Sequence, residues 1–197
     1  TVPRELAGVQ EVEVSAMSTS PLLNMTDACY DTGSAEGITT EVKDFLMIDR
    51  SVIARESVSI RGPSVGTPGC EGRGPIIYRL VWGNMGLVMP SGILAETGEG
   101  KPGFRIAPAQ QLKKRGVRLV GGKFDEVDEG ECVRTGERFE CLTRDEILVI
   151  ETRGYARDLI DSPALRLKIK AIRDGLASPL IDLTDHMNEE EKAVSRE

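Results

Sequence analysis

Apolar positions along the chain fall into short β-type runs separated by glycine-rich or polar stretches, with one sharply bounded helical pattern near the end. Val9, Val12 and Val14 stand among Gln10, Glu11, Glu13 and Ser15, a partly alternating, β-branched run that predicts a strand with one wet face. Ser18 to Gly37 is rich in Ser, Thr, Asp and Gly and reads as a long loop. Thr40 to Ile48 fits a short helix or a strand, with Val42, Phe45 and Leu46 on one side. Ser51 to Ile60 reads as a strand carrying Ile53, Val58 and Ile60. Arg61 to Pro75 is crowded with Gly and Pro and predicts an exposed loop or arm. Ile76 to Trp82 and Gly86 to Met89 are the central strands of this reading, followed by another glycine-rich loop from Ser91 to Gly103.

In the second half, Pro108 suits a first helical turn and Gly116 the position past the last, so Pro108 to Arg115 predicts a two-turn helix, and Val117 to Val120 a strand. Glu131 to Leu142 reads as a hairpin folded about Gly136 and Glu137. Thr143 and Glu146 have capping-box spacing ahead of Ile147, Leu148 and Ile150, a run that reads equally as a strand. The clearest helix is Pro163 to Asp174, with Ser162 as cap and Gly175 as stop. Leu165, Ile169, Ile172 and Leu176 form one apolar ridge on it. Ala164, Leu167 and Ala171 line the far side, beside a basic ridge of Arg166, Lys170 and Arg173. A helix apolar on two sides predicts one face on its own core and one on a partner. Asp182 to Glu197 is acidic and reads as a frayed helix or as disordered in isolation.

Together these elements predict a β-rich α+β fold, with antiparallel or mixed sheets, long Gly-rich loops and a C-terminal helix. The expected organisation is a β-rich domain over 1–151 with extended loops and a helical extension with an acidic tail over 152–197. Composition sharpens the picture in one respect. With aromatics at 4% and 21 glycines, the core must rest on Val, Ile, Leu and Met joined by tight turns. No apolar stretch approaches the roughly 20 residues of a spanning helix. The start, Thr1 to Glu5, lacks the layout of a secretory signal, so a cytoplasmic or virion setting is expected.

The net charge of −7 weighs against wholesale nucleic-acid binding, but its distribution matters more. Lys101 to Lys123 holds seven bases (Lys101, Arg105, Lys113, Lys114, Arg115, Arg118 and Lys123) and no acid, whereas Asp125 to Glu151 holds ten acids against three arginines. The expectation is that these blocks lie on different surfaces and meet complementary charge on neighbouring subunits.

Candidate chemistry is thin. Gly62-Pro63-Ser64-Val65-Gly66 matches the letters of a nucleophile elbow, but the Gly and Pro after it cannot open the required helix. Asp31-Thr32-Gly33-Ser34 spells an aspartic-protease triplet in a polar stretch and reads better as an Asp-Gly-type turn. Ala95 with Gly100 and Lys101 approaches a phosphate loop, but Pro102 stands where a Mg²⁺-binding hydroxyl belongs; a looser anion site at Lys101 and Arg105 survives. Asp185, His186, Glu189 and Glu190 have metal-ligand spacing on a helix, although one histidine in an acidic tail reads as a solvated residue. Asn24-Met25-Thr26 is a glycosylation acceptor by letters alone. A two-residue turn at Gly136-Glu137 would set Cys132 opposite Cys141, close enough for a disulfide under oxidation.

No cofactor or metal is predicted, and with one histidine and no convincing nucleophile the chain favours assembly over catalysis. The leading expectation is a structural or assembly subunit of a large complex, such as a virus or phage particle. It would self-associate through its charge blocks, its loop arms and the helix face of Ala164, Leu167, Ala171, Arg166, Lys170 and Arg173. The alternatives are a small enzyme or ligand-binding domain with a site near Lys101, Arg105 and Asp31, and a regulatory module binding polyanions through Lys101 to Lys123.

Overall fold

The structure, a computed structural model, describes residues 10–13, 27–31, 33–61, 68–100, 103–120, 128–132, 134–144 and 147–194. In chain order its first elements are β1 (Gln10–Glu13), β2 (Ala28–Asp31), β3 (Ile38–Thr39), α1 (Val52–Glu56), β4 (Val58–Arg61), β5 (Cys70–Arg79) and β6 (Met85–Ala95). They are followed by β7 (Arg105–Pro108), α2 (Ala109–Lys114), β8 (Val117–Val120), β9 (Asp128–Cys132), β10 (Arg138–Arg144), β11 (Ile147–Ile150), α3 (Pro163–Arg173), β12 (Leu180–Asp182) and α4 (Glu189–Val194). Single 3₁₀ turns lie at Val42–Asp44, Ala156–Asp158 and Thr184–His186. The fold is β-rich α+β with a mixed sheet and a C-terminal helix.

Among the described residues ten strands form one sheet, while β1 and β4 pair in parallel as a separate two-stranded sheet. In the large sheet β6 pairs with β5 along one edge and with β12 and β3 along the other. The path continues through β7, β2 and β11, then on through β10 and β9 to β8. After β11 the chain returns to β5: Leu80 bridges Thr152, and Arg153 donates its backbone N–H to the Arg79 carbonyl at 2.9 Å. The pairings β5-β6-β3-β7-β2-β11-β5 therefore close into a barrel-like ring, which removes exposed edges from its centre.

Period-two alternation fills this ring and covers it. Ile76, Tyr78 and Leu80 of β5 and its exit, Leu87 and Met89 of β6, Ala107 of β7, Ala28 of β2 and Ile150 of β11 share one buried cluster. The intervening Ile77 and Val88 face the other way and pack with Leu165, Ile169 and Ile172 of α3 and with Leu183 and Met187. Farther along, Ile93, Ala95, Ile38 and Ile106 pack against Val12, Val58 and Ile60 of the small sheet. The C-terminal segment thus supplies a strand, β12, as well as helices.

Several expected loops are strands, for identifiable reasons. Residues 70–75 extend β5 and 91–95 extend β6, because their glycines serve close packing and not turns. A Cβ on Gly74 would collide with the Met47 carbonyl, and one on Gly92 with the Ile76 side chain. The expected loop of 18–37 contains β2, a short internal strand whose flanks are polar. The expected strand from Ser51 opens instead as α1, because the Ser51 hydroxyl accepts the Ala54 N–H at 3.2 Å; the strand begins at Val58. Ile147–Ile150 is a strand and not a capped helix.

The hairpin of β9 and β10 also differs from expectation. Arg138 pairs with Glu131 and Cys141 with Asp128, while the Cys132 N–H donates to the Glu137 carbonyl at 2.9 Å. Gly136, at φ +68°, donates its N–H to the Cys132 carbonyl at 2.7 Å, so the turn is wider than the two-residue turn that was expected. Cys132 and Cys141 therefore lie four positions apart along the ladder, roughly 13 Å at strand rise, beyond disulfide reach. None of the four cysteines is in a disulfide.

Candidate interaction surface

The helix α3 is built as its sequence specifies. The Ser162 hydroxyl accepts the Leu165 N–H at 3.2 Å and Pro163 occupies the first turn. At the other end Gly175, at φ +74°, lets the Leu176 N–H return to the Ala171 carbonyl at 2.8 Å, the Schellman arrangement. Leu165, Ile169 and Ile172 are buried on the β5–β6 face, each contributing roughly 1.5–3 kcal/mol. Leu176, expected on this ridge, is instead 78% exposed, because the Schellman reversal turns the chain away from the core.

On the outer side Leu167 is 66% exposed, Ala164 is exposed and Ala171 is half-buried. Arg166 is held at the surface by a bidentate pair to Asp161 at 2.6 and 2.9 Å, while Lys170 and Arg173 are exposed. The Arg166 guanidinium holds the Asp161 carboxyl below its ordinary range. Ile160, just before this pair, is 51% exposed. Two arginines from elsewhere grip the end of α3: Arg115 donates to the Ile172 carbonyl, and Arg134 to the Gly175 carbonyl at 2.8 Å. Both satisfy carbonyls at the negative end of the helix dipole. Sequence spacing exposed the two faces of α3, but not these arginines, which are distant in the chain.

Other sequence candidates fall in different places. Arg105 is buried in the ring, where it binds both oxygens of Asp44, one at 2.8 Å, and donates to the Thr152 hydroxyl at 2.7 Å. The Thr39 hydroxyl donates to Asp44 at 2.8 Å, and the Tyr78 and Tyr155 rings flank the guanidinium at 5.7 and 5.4 Å. Burial pushes the Asp44 carboxyl up, against the opposing pull of Arg105 and Thr39. This arrangement is an internal ion pair, so Arg105 faces no open anion site. Lys101 lies outside the described residues, as do Gly62 to Gly66 and Asn24 to Thr26.

Asp31 is buried at the end of β2 and accepts the Gly33 N–H at 2.8 Å, an Asx turn. Burial, with Asp31 adding to it, pushes the neighbouring Cys29 thiol up to about 12. His186 is not solvated but buried, and Lys168 Nζ lies 3.0 Å from its Nε2. Cys132 lies 2.6 Å from the Ser178 hydroxyl. Burial pushes its thiol up, but the bonds from Ser178, Thr135 and the turn outweigh that and hold it below its ordinary value.

Among the described residues expected to carry function, the α3 face presents exposed apolar surface beside exposed charge. Among the described residues no helix is long and apolar enough to cross a membrane. Comparison with protein-family models, with curated proteins and with solved structures finds no match to this chain.

Proposed function

We propose that this protein is a structural or assembly subunit of a larger protein complex, self-associating through the outer face of α3, in the cytoplasm or within a virus or phage particle. The observation that carries the reading is Leu167, two-thirds exposed on a helix whose opposite ridge is already buried in its own core. A leucine left in water forgoes roughly 1.5–3 kcal/mol that a partner surface would recover. Ala164 and Ala171 beside it allow close backbone approach, and the surrounding charges form the polar rim typical of an interface. The ligand-site alternative has lost its arginine to Asp44. Light scattering over a range of concentrations tests the proposal: mass should rise above that of one 197-residue chain. A monomer at every concentration contradicts it.

A further inference from the structure

The two arginines on the end of α3 bring together basic residues that are far apart in sequence. Lys113, Lys114 and Arg115 end α2, Arg134 lies in the β9–β10 turn, and Lys170 and Arg173 occupy the last turns of α3. The Arg115 contact with Ile172 and the Arg134 contact with Gly175 fix these segments side by side. Asp174 and Glu137 adjoin them in the chain and Glu36 accepts from Gln111 of α2 at 3.0 Å, so bases outnumber acids six to three. Lys113, Lys114, Arg134, Lys170 and Arg173 are all exposed.

We propose that this composite basic patch docks the acidic strip Asp185, Glu189 and Glu190 of a second copy of this chain, giving a head-to-tail contact. The inference rests on the assembly reading and adds the chemistry and polarity of the joint. All three acids are exposed, with Glu189 sharing its charge with Lys192 at 3.0 Å. The strip is held in place by its flanks: Glu191 pairs with Arg79 at 2.9 Å, and His186 is bonded to Lys168. α3 itself carries Arg166, Lys168, Lys170 and Arg173 and no acid, so two copies of α3 placed face to face would set like charges together. Joining patch to strip sets opposite charges together. Made once per pair, the patch of one copy against the strip of the next, the contact is heterologous and builds a ring or an open chain. Nucleic acid is the less favoured occupant: the chain carries −7 overall, and the six basic residues come with no aromatic side chain among them for base stacking.

The test uses two neutralised variants, one with Lys113→Gln, Lys114→Gln and Lys170→Gln, the other with Asp185→Asn, Glu189→Gln and Glu190→Gln. Thermal melting first establishes that both remain folded. Each alone should associate about tenfold or more weakly than the unsubstituted chain. An equimolar mixture retains one good joint per pair, so light scattering should show a complex of two chains that grows no further. Variants that both assemble like the unsubstituted chain, or a mixture that grows as it does, overturn the proposal. So does single-stranded oligonucleotide binding that the patch variant loses while self-association is unchanged. If Leu167→Asp abolishes association but neither charge variant weakens it, the assembly reading stands and the head-to-tail joint falls. If the unsubstituted chain never associates, both fall.

Discussion

Lys168 Nζ lies 3.0 Å from His186 Nε2, a contact that ties the turn after β12 to the middle of α3. Only a neutral imidazole can accept this bond from the ammonium. Burial pushes the His186 pKa down and Lys168 adds to it, against the opposing pull of Asp185 and Asp182. A depressed folded-state pKa means that the unfolded chain binds the proton more readily. The contribution to stability is therefore fully present above the ordinary value of 6.5 and is lost as pH falls below it toward the folded pKa. His186 is the sole histidine, so its ring signal in NMR should titrate below 6.5. The fall in urea midpoint between about pH 7 and about pH 5 should shrink in His186→Gln. An unchanged fall would place the pH sensitivity elsewhere.

Inside the ring, the Arg105–Asp44 pair should be costly to break from one side. Asp44→Ala leaves a guanidinium buried between Tyr78 and Tyr155 and should destabilise by about 3–5 kcal/mol, read from urea denaturation. Thr152→Val removes one hydroxyl acceptor of Arg105 and should cost about 1.5–3 kcal/mol, because the bond involves a charged group. A loss below about 1 kcal/mol in Asp44→Ala would show that the pair is not desolvated as described.

The register of β9 and β10 makes a prediction about redox chemistry. Mild oxidation of the folded protein should leave no bond between Cys132 and Cys141, as checked by mass spectrometry of peptides under non-reducing conditions. Ser178→Ala removes a hydrogen bond that favours the thiolate, so the Cys132 pKa should rise and its labelling at alkaline pH should slow. A Cys132–Cys141 crosslink formed without unfolding would restore the two-residue turn.

What could be read in advance depended on whether local chemistry and tertiary packing agreed. α3 was legible to within a residue because Ser162, Pro163 and Gly175 act locally and the Leu165, Ile169 and Ile172 spacing matches their burial. α2 and β8 were legible for the same reason, with Gly116 at φ +90° between them. Gly72, Gly74 and Gly92 misled, since a glycine needed for close strand packing has the same letter as one in a turn. β2 was hidden because its hydrogen-bonding partners, β7 and β11, are distant in sequence. The exposed side of α3 was legible from periodicity. The basic patch at its end was not, since Arg115 and Arg134 reach it only through the fold.

Light scattering and thermal melting of two single variants decide whether α3 turns one face to its own core and the other to a partner. Ile169→Asp places an unpaired charge in the buried ridge beside Ile77 and Val88 and should unfold the protein. Leu167→Asp, two positions earlier and exposed, should melt within a few degrees of the unsubstituted chain and remain monomeric at concentrations where that chain associates. A folded Leu167→Asp that associates as the unsubstituted chain does would mean that the outer face of α3 meets no partner.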